Sequence, residues 1–246
     1  MNKVAKITAS FWIMKILATT LGETSGDYLS MTLNLGYSVS LAITSAFFLL
    51  ALWVQLKSQK FHPVFYWAVI LGTTMVGTEI SDSMDRSLNL GYVMGSVILF
   101  ACLAMALAFW YYKEKNLEVY PIMGRGKEVF YWITVLFSNS LGTAFGDFLS
   151  DNLSLSYMGG ALVCAGIIIV VVLLHYLTRI NHIILFWIAF VFTRPFGATF
   201  GDLLTKPMPK GGLNLGTAHA SLVTLFLLVL MLIYATVSMN KKTGTH

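Results

Sequence analysis

Residues 11–27 read FWIMKILATTLGETSGD, and the same pattern returns three more times along the chain. The other copies are 66–82, YWAVILGTTMVGTEISD; 131–147, YWITVLFSNSLGTAFGD; and 186–202, FWIAFVFTRPFGATFGD. Each copy opens with an aromatic residue and a Trp, has a Gly ten residues after the Trp, and ends with an Asp fifteen residues after it. Chance does not produce four identical spacings in 246 residues, so the chain consists of four tandem repeats.

A second, shorter motif follows each Asp. Residues 34–37 and 89–92 both read NLGY, 154–157 read SLSY, and 214–216 read NLG after an insertion rich in Lys and Pro. A more uniformly apolar segment comes next in every copy. Each repeat is therefore predicted to form a first helix that ends near its Asp, a short connection, and a second, more apolar helix.

The composition places these helices in a membrane. The chain is 57% hydrophobic and 11% charged, whereas soluble domains carry about 25% charged residues. A spanning helix needs about 20 mostly apolar residues, which predicts an all-α, polytopic membrane protein with eight spans. The predicted spans are 8–26, 35–56, 64–82, 90–112, 129–148, 156–178, 183–203 and 214–238.

One membrane domain, 1–246, then contains repeats 8–56, 64–112, 129–178 and 183–238. Two spans return the chain to its starting side, so the four repeats are predicted to be parallel and to surround a pseudo-symmetric axis.

The basic residues predict the orientation. One side carries Arg86, Lys206 and Lys210, and the other carries Lys3, Lys6, Lys57, Lys60, Lys113, Lys115, Arg125, Lys127, Arg179, Lys241 and Lys242. The positive-inside rule places both termini and the inter-repeat loops in the cytoplasm. This topology accounts for the net charge of +5, so a nucleic-acid partner is not expected. The motif tryptophans are predicted to be interface anchors at the cytoplasmic side: Trp12, Trp67, Trp132 and Trp187.

Most of the acidic residues lie on the first helices of the repeats. An intramembrane charge costs at least about 2.5–3.5 kcal/mol, so these carboxylates are candidate ion-binding residues: Asp27, Asp82, Asp147, Asp202, Glu23 and Glu79. Pairs of small residues on the same helices allow close packing and predict that the carboxylates face the bundle interior. These pairs are Gly22 and Gly26, Gly77 and Ser81, Gly142 and Gly146, and Gly197 and Gly201. At 1.5 Å per residue, each Asp lies about 22 Å from its Trp, in the outer half of the membrane.

Such an acidic cluster supports two chemical interpretations. Carboxylate oxygens bind hard divalent cations, and closely spaced carboxyl groups suit proton coupling. Secondary transport of a cation combines both, with a divalent metal bound as substrate by Asp27, Asp82, Asp147 and Asp202. Two alternatives remain open. One is a membrane scaffold or sensor with a structural acidic cluster, and the other is a transporter of a cationic organic solute with a cavity lined by aromatic residues (Phe145, Phe200 and Tyr28).

Two basic residues fall inside predicted spans. Arg194 stands where the first three copies have Thr19, Thr74 and Asn139. An arginine in mid-span needs a carboxylate or water, so it either tunes the charge of the acidic cluster or forms a structural ion pair. Lys15 is expected to extend to the cytoplasmic interface.

Enzymatic activity is not predicted. The chain has no phosphate-binding Gly loop, no nucleophile elbow and no zincin motif, and no cofactor is expected. The partners predicted from the sequence are the lipid bilayer and a small cation, and the oligomeric state is left open.

The pattern Trp-x9-Gly-x3-Gly/Ser-Asp, in four tandem two-helix copies, resembles a family of bacterial membrane proteins. Its members are known as a fourfold repeat of unknown function and as uncharacterised membrane-anchored proteins. The resemblance covers almost the whole chain. It implies eight spans in the bacterial inner membrane, with the motif tryptophans as family markers, and it implies no activity.

Overall fold

The structure is a computed structural model that describes residues 2–243, and side chains as far as residue 238. The side chains of Lys241 and Lys242, predicted to be cytoplasmic, lie outside this part. The prediction of an all-helical chain is confirmed for the described residues. The eight long helices are α1 (Ala9–Asp27), α2 (Gly36–Lys57), α3 (Pro63–Asp82), α4 (Gly91–Glu114), α5 (Arg125–Asp147), α6 (Tyr157–Leu177), α7 (His182–Thr205) and α8 (Thr217–Thr243).

Six of these helices, α2, α3, α4, α6, α7 and α8, are long and apolar enough to cross a membrane. This is consistent with a multi-pass membrane protein. In α3 and α7, 67% and 61% of the most apolar 18 residues are buried, whereas the values for α2, α4, α6 and α8 are between 17% and 22%. Most residues of α1 and α5 are buried as well. The odd-numbered helices therefore form the interior, and the even-numbered helices present apolar side chains outward, as lipid contact requires.

The four odd-numbered helices close into a ring. α1 packs against α3, α3 against α5, α5 against α7, and α7 against α1. The even-numbered helices cover this ring from outside, and each packs against the first helix of the following repeat: α2 on α3, α4 on α5, α6 on α7, and α8 on α1. A single repeat is thus not a packing unit, because each of its helices depends on the next repeat.

One glycine per repeat permits the contacts inside the ring. A Cβ on Gly22 would collide with Thr74, and one on Gly197 would collide with Thr19. Gly77 faces the backbone of Asn139 and Ser140 in the same way, and the fourth contact joins Gly142 to Arg194. Each glycine therefore leaves room for a residue of a neighbouring odd-numbered helix, which lies about three residues before the equivalent glycine of that helix. The two helices can then approach closely.

The short motif after each Asp forms the connection to the next helix. In the first three repeats the chain makes one π-helical turn, at Tyr28–Thr32, Ser83–Ser87 and Phe148–Asn152. It then takes a positive φ of 55° at Asn34 and 53° at Asn89. Asn tolerates this conformation better than most residues, which explains its place in the motif. The third copy uses Ser154 at a φ of 54°.

Two predicted details at the opposite end of the bundle are corrected by the structure. The predicted start of α5 at residue 129 is too late, because residues 125–128, three of them charged, form its first turn. Glu128, which the predicted span 129–148 leaves in a loop, is buried there. It accepts hydrogen bonds from Lys3 Nζ at 2.6 Å and from Gln55 Nε2 at 2.9 Å. These interactions stabilise the buried carboxylate, whose burial the apolar pattern of the sequence does not predict.

The motif tryptophans lie at this same end. Trp67, Trp132 and Trp187 are buried, and Trp12 is half-buried. They pack edge-on or tilted against neighbouring rings of the odd-numbered helices. Three of the four are therefore interior residues of an aromatic cluster and not an outward-facing belt, because their helices are surrounded by the even-numbered helices. Their depth in a bilayer stays a prediction.

Candidate ion-binding site

The four motif aspartates come together at the end of the bundle opposite the tryptophans. Asp27, Asp82 and Asp147 are the last residues of α1, α3 and α5, and Asp202 lies in the last turn of α7. All four are at most 4% exposed. They are buried because the ring of odd-numbered helices places the same face of each helix inward.

Two basic side chains bridge these aspartates in pairs. Lys206 Nζ lies 2.6 Å from Asp27 Oδ2 and 3.1 Å from Asp202 Oδ1. Arg86 contacts Asp82 Oδ2 at 3.6 Å and Asp147 Oδ2 at 3.4 Å. Burial by itself lowers the pKa of Lys206, but the carboxylates of Asp202 and Asp27 outweigh this effect and raise it above its ordinary value. The ammonium group therefore stays charged at neutral pH.

Arg86 and Lys206 were interpreted from the sequence as topology signals, and their role at the site was missed. Each stands four residues after a motif Asp, the spacing at which side chains on a helix face one another. This spacing was the available signal. It identifies the partner on the same repeat, but it does not identify the second Asp, which belongs to the following repeat in the ring.

The equivalent positions in the other two repeats hold no base. Met31 follows Asp27 by four residues, and Asp151 follows Asp147 by four residues. Between neighbouring repeats there are thus two kinds of space. The tethered gaps are those between Asp82 and Asp147, bridged by Arg86, and between Asp202 and Asp27, bridged by Lys206. The open gaps are those between Asp27 and Asp82 and between Asp147 and Asp202.

About one helical turn deeper, Arg194 lies fully buried inside the ring. Its Nη2 contacts Glu23 Oε2 at 2.7 Å and donates to the hydroxyls of Thr78 and Thr143, each at 2.6 Å. Its Nη1 donates to the carbonyl of Thr19 at 3.3 Å. We call Arg194, Glu23, Thr78 and Thr143 the inner polar layer. Within it, Arg194 forms an ion pair with Glu23. Among the described residues, no ion pair joins Arg194 to a motif aspartate.

The expectation that Lys15 extends to the cytoplasmic interface is wrong. Lys15 is fully buried, donates to Asn139 Oδ1 at 2.8 Å, and lies 4.2 Å from the ring centroid of Phe190. The physical reason is the closed ring of helices: Lys15 lies on the inward face of α1, where Asn139 of α5 and Phe190 of α7 enclose it.

Glu79 is the exceptional carboxylate of the site. It is fully buried, and neither of its oxygens has a hydrogen-bond partner among the residues that the structure describes. Its Oε1 lies 3.4 Å from the position that a Cβ on Gly26 would take, so the side chain points from α3 to α1, beside Asp27. We call Glu79 and the four motif aspartates the outer carboxylate layer.

Three carboxylates are close enough to hold one metal ion. Glu23, Asp147 and Asp202 each offer an oxygen, these oxygens lie within 4.8 Å of one another, and all three residues are buried. The set predicted from the sequence was the four motif aspartates. In this group of three, Glu23 stands in place of Asp27 and Asp82, because Glu23 is directed toward the third and fourth repeats by its pairing with Arg194 of α7. Hard cations such as Mg²⁺, Ca²⁺ and Mn²⁺ prefer such oxygen ligands.

The aromatic residues proposed for an organic solute form pairs with their neighbours. Phe145 packs edge-on against Phe192, with ring centroids 5.9 Å apart, and Phe200 stacks on Phe196 at the same distance. The other member of the proposed set, Tyr28, begins the π-helical turn after α1.

Comparison with known proteins agrees with the repeat pattern. The sequence model of the family described as Repeat of Unknown Function (DUF347) matches residues 10–61, 65–116, 130–181 and 185–240. These four matches cover most of the chain and coincide with the four two-helix repeats, so the resemblance identified from the sequence is confirmed. No curated protein and no solved structure matches the chain.

Proposed function

We propose that this chain, which belongs to the family Repeat of Unknown Function (DUF347), is a secondary transporter of a cation. The observation that carries this proposal is Glu79, a fully buried carboxylate with no hydrogen-bond partner within residues 2–243. An isolated buried charge is costly, so such a carboxyl group either takes up a proton or pairs with another cation, and both states fit a site that binds and releases cations.

The charge balance supports the same conclusion. Six carboxylates of the inner polar and outer carboxylate layers face three basic side chains: Arg86, Lys206 and Arg194. The acidic groups therefore exceed the basic groups in a buried region. Membrane proteins use intramembrane carboxylates of this kind in ion pathways and proton relays, and we propose that the cation is a divalent metal, a proton, or one exchanged for the other.

The proposed arrangement in the membrane has eight spans around a pseudo-symmetric axis, which lies inside the ring of α1, α3, α5 and α7. The excess of basic residues at the other end of the bundle supports cytoplasmic termini, and family membership supports the bacterial inner membrane. The motif aspartates then face the outside of the cell, where Arg86 and Lys206 are accessible through side chains 28% and 21% exposed. In this arrangement Arg194 tunes the charge of the site by neutralising Glu23.

Flux measurements test the proposal. The purified protein is reconstituted in liposomes that contain a fluorescent chelator, and Mn²⁺ entry is followed with and without a pH gradient. We expect flux in the wild type and its loss in Glu79→Gln and in Asp147→Asn/Asp202→Asn. Glu118→Gln is the matched control, because this exposed carboxylate lies in the loop at the other end of the bundle. Tetraethylammonium flux in the same liposomes tests the organic-cation alternative.

A structural role for the acidic residues is the second candidate, and one observation favours it: every motif Asp contacts a basic side chain. A scaffold or sensor predicts that the Asp→Asn changes reduce the yield of folded protein and that the wild type carries no flux of any cation tested. That pair of results would replace the transporter with the scaffold.

A further inference from the structure

The four gaps between neighbouring motif aspartates differ in a regular way around the ring. Arg86 bridges Asp82 to Asp147, and Lys206 bridges Asp202 to Asp27. These two tethered gaps alternate with the two open gaps. At two of four related positions, a basic side chain of the protein itself thus lies between neighbouring aspartates. In both cases this side chain belongs to the residue four positions after a motif Asp.

The two open gaps contain extra carboxylates where the tethered gaps contain a base. Glu79 points into the open gap between α1 and α3, fully buried and without a hydrogen-bond partner among the described residues. In the other open gap, an oxygen of Glu23 lies within 4.8 Å of oxygens of Asp147 and Asp202. The gaps that lack a tethered cation are therefore the gaps with the larger number of acidic groups.

We propose that each open gap binds one divalent cation, so that four cations surround the axis: Arg86, Lys206 and two exchangeable metal ions. One ion is held by Asp147, Asp202 and Glu23, the only three carboxylates of the described residues whose oxygens already lie within 4.8 Å of one another. The other is held by Asp27, Asp82 and Glu79, whose oxygens are farther apart and close around the ion when it binds. This inference rests on the proposed cation transport and assigns its substrate sites.

The charge of the open gap between Asp27 and Asp82, with its carboxyl groups ionised, favours a divalent over a monovalent ion. Each gap has three carboxylates, and its two aspartates each share one tethered cation with another aspartate. The gap between Asp27 and Asp82 therefore keeps about two uncompensated negative charges. Arg194 compensates Glu23 in the other gap, so we expect the site of Asp147, Asp202 and Glu23 to be the weaker of the two.

A tether can be transferred to test this assignment. Met31, Arg86 and Asp151 occupy the same position in equivalent π-helical turns, and Met31 and Asp151 are exposed. Met31→Arg and Asp151→Arg therefore copy the Arg86 tether into each open gap without changing a buried residue. Bound Mn²⁺ is counted in the purified protein by electron paramagnetic resonance, because the free hydrated ion gives a distinct signal.

We expect two bound Mn²⁺ per chain in the wild type, one in Met31→Arg, one in Asp151→Arg, and none in the double variant. Met31→Gln and Asp151→Gln are the matched neutral controls, and both are expected to keep two. Leu88→Arg adds a positive charge at an exposed position at the same end of the bundle and is also expected to keep two. Removal of a tether has the opposite effect: Lys206→Met is expected to bind a third Mn²⁺.

The outcomes separate this inference from the proposed function. An unchanged Mn²⁺ count in both arginine variants overturns the site assignment, and so does a fall that Leu88→Arg reproduces. If the liposomes still show cation flux in that case, the transport proposal stands without these sites. Two displaceable Mn²⁺ ions with no flux support the sites and overturn transport.

Discussion

The inner polar layer and the outer carboxylate layer lie about one helical turn apart, which is about 6 Å along the helix axes. They differ in how their charges are paired. In the inner layer, one fully buried guanidinium contacts Glu23, Thr78 and Thr143 at 2.6–2.7 Å. In the outer layer, two partly exposed bases are shared among four aspartates, and Glu79 has no partner within the described residues. The carboxylate of the inner layer therefore already has a cationic partner, whereas the outer layer has more carboxylates than bases.

The difference originates in how the repeats diverged. The inner layer is asymmetric, because Arg194 and Glu23 each occur in one repeat and the equivalent of Glu23 in the fourth repeat is Ala198. The aspartates of the outer layer are the same in all four repeats. The inner layer therefore holds a single asymmetric ion pair, while the repeated aspartates form a set of similar positions at which, in the proposed function, ions exchange.

The largest expected effect comes from breaking the inner layer. Arg194→Met keeps a long side chain but leaves Glu23 buried without its ion pair. Loss of one partner of a buried pair costs about 3–5 kcal/mol, so the free energy of unfolding in mixed micelles, measured by titration with a denaturing detergent, is expected to fall by this amount. Folded yield is expected to fall as well.

A double variant separates the lost pair from the altered packing. Arg194→Met/Glu23→Gln removes both charges, and we expect it to regain much of the stability lost in Arg194→Met, since the uncompensated carboxylate is gone. If the double variant is as unstable as the single one, the role of Arg194 is packing against Gly142 and not the ion pair.

The next largest effect on the unfolding free energy is expected at two glycines of α1: Gly22, next to Glu23 of the inner layer, and Gly26, next to Asp27 of the outer layer. A Cβ on Gly22 collides with Thr74, whereas one on Gly26 comes no closer than 3.2 Å to the Thr78 side chain. Overpacking costs about 1–3 kcal/mol, and Gly→Ala in a helix gains about 1 kcal/mol. Gly22→Ala is therefore expected to destabilise the protein, and Gly26→Ala to leave its unfolding free energy nearly unchanged. The second repeat already carries Ser81 at the Gly26 position.

Gly166→Ala in α6 is the control for this pair, because nothing lies within 4 Å of the added Cβ. It is expected to show the gain in helix propensity alone. Equal losses of stability in Gly22→Ala and Gly26→Ala would contradict the distinction between a tight inner contact and a looser outer one.

The repeat spacing was sufficient to predict the all-helical fold, the approximate helix limits and the inward-facing aspartates. It was not sufficient for the environment of Lys15, because its burial depends on α3, α5 and α7 enclosing that face of α1. The sharing of Lys206 between Asp202 and Asp27 follows from closure of the ring between the fourth and first repeats. Relations of this kind join residues as much as 179 positions apart, and local periodicity does not encode them.

The smallest expected effect on stability belongs to Glu79, and it gives the sharpest comparison with Glu23. Glu79→Gln removes a charge that has no partner in the described structure, so no ion pair is lost and the unfolding free energy without divalent cations is expected to stay the same or rise. Glu23→Gln leaves Arg194 without its carboxylate and is expected to be destabilising. Added Mn²⁺ is expected to raise the unfolding free energy of the wild type, since a ligand that binds the folded state stabilises it, and to raise it less in Glu79→Gln. A destabilised Glu79→Gln variant that responds fully to Mn²⁺ would assign Glu79 to the structural network, together with the inner polar layer.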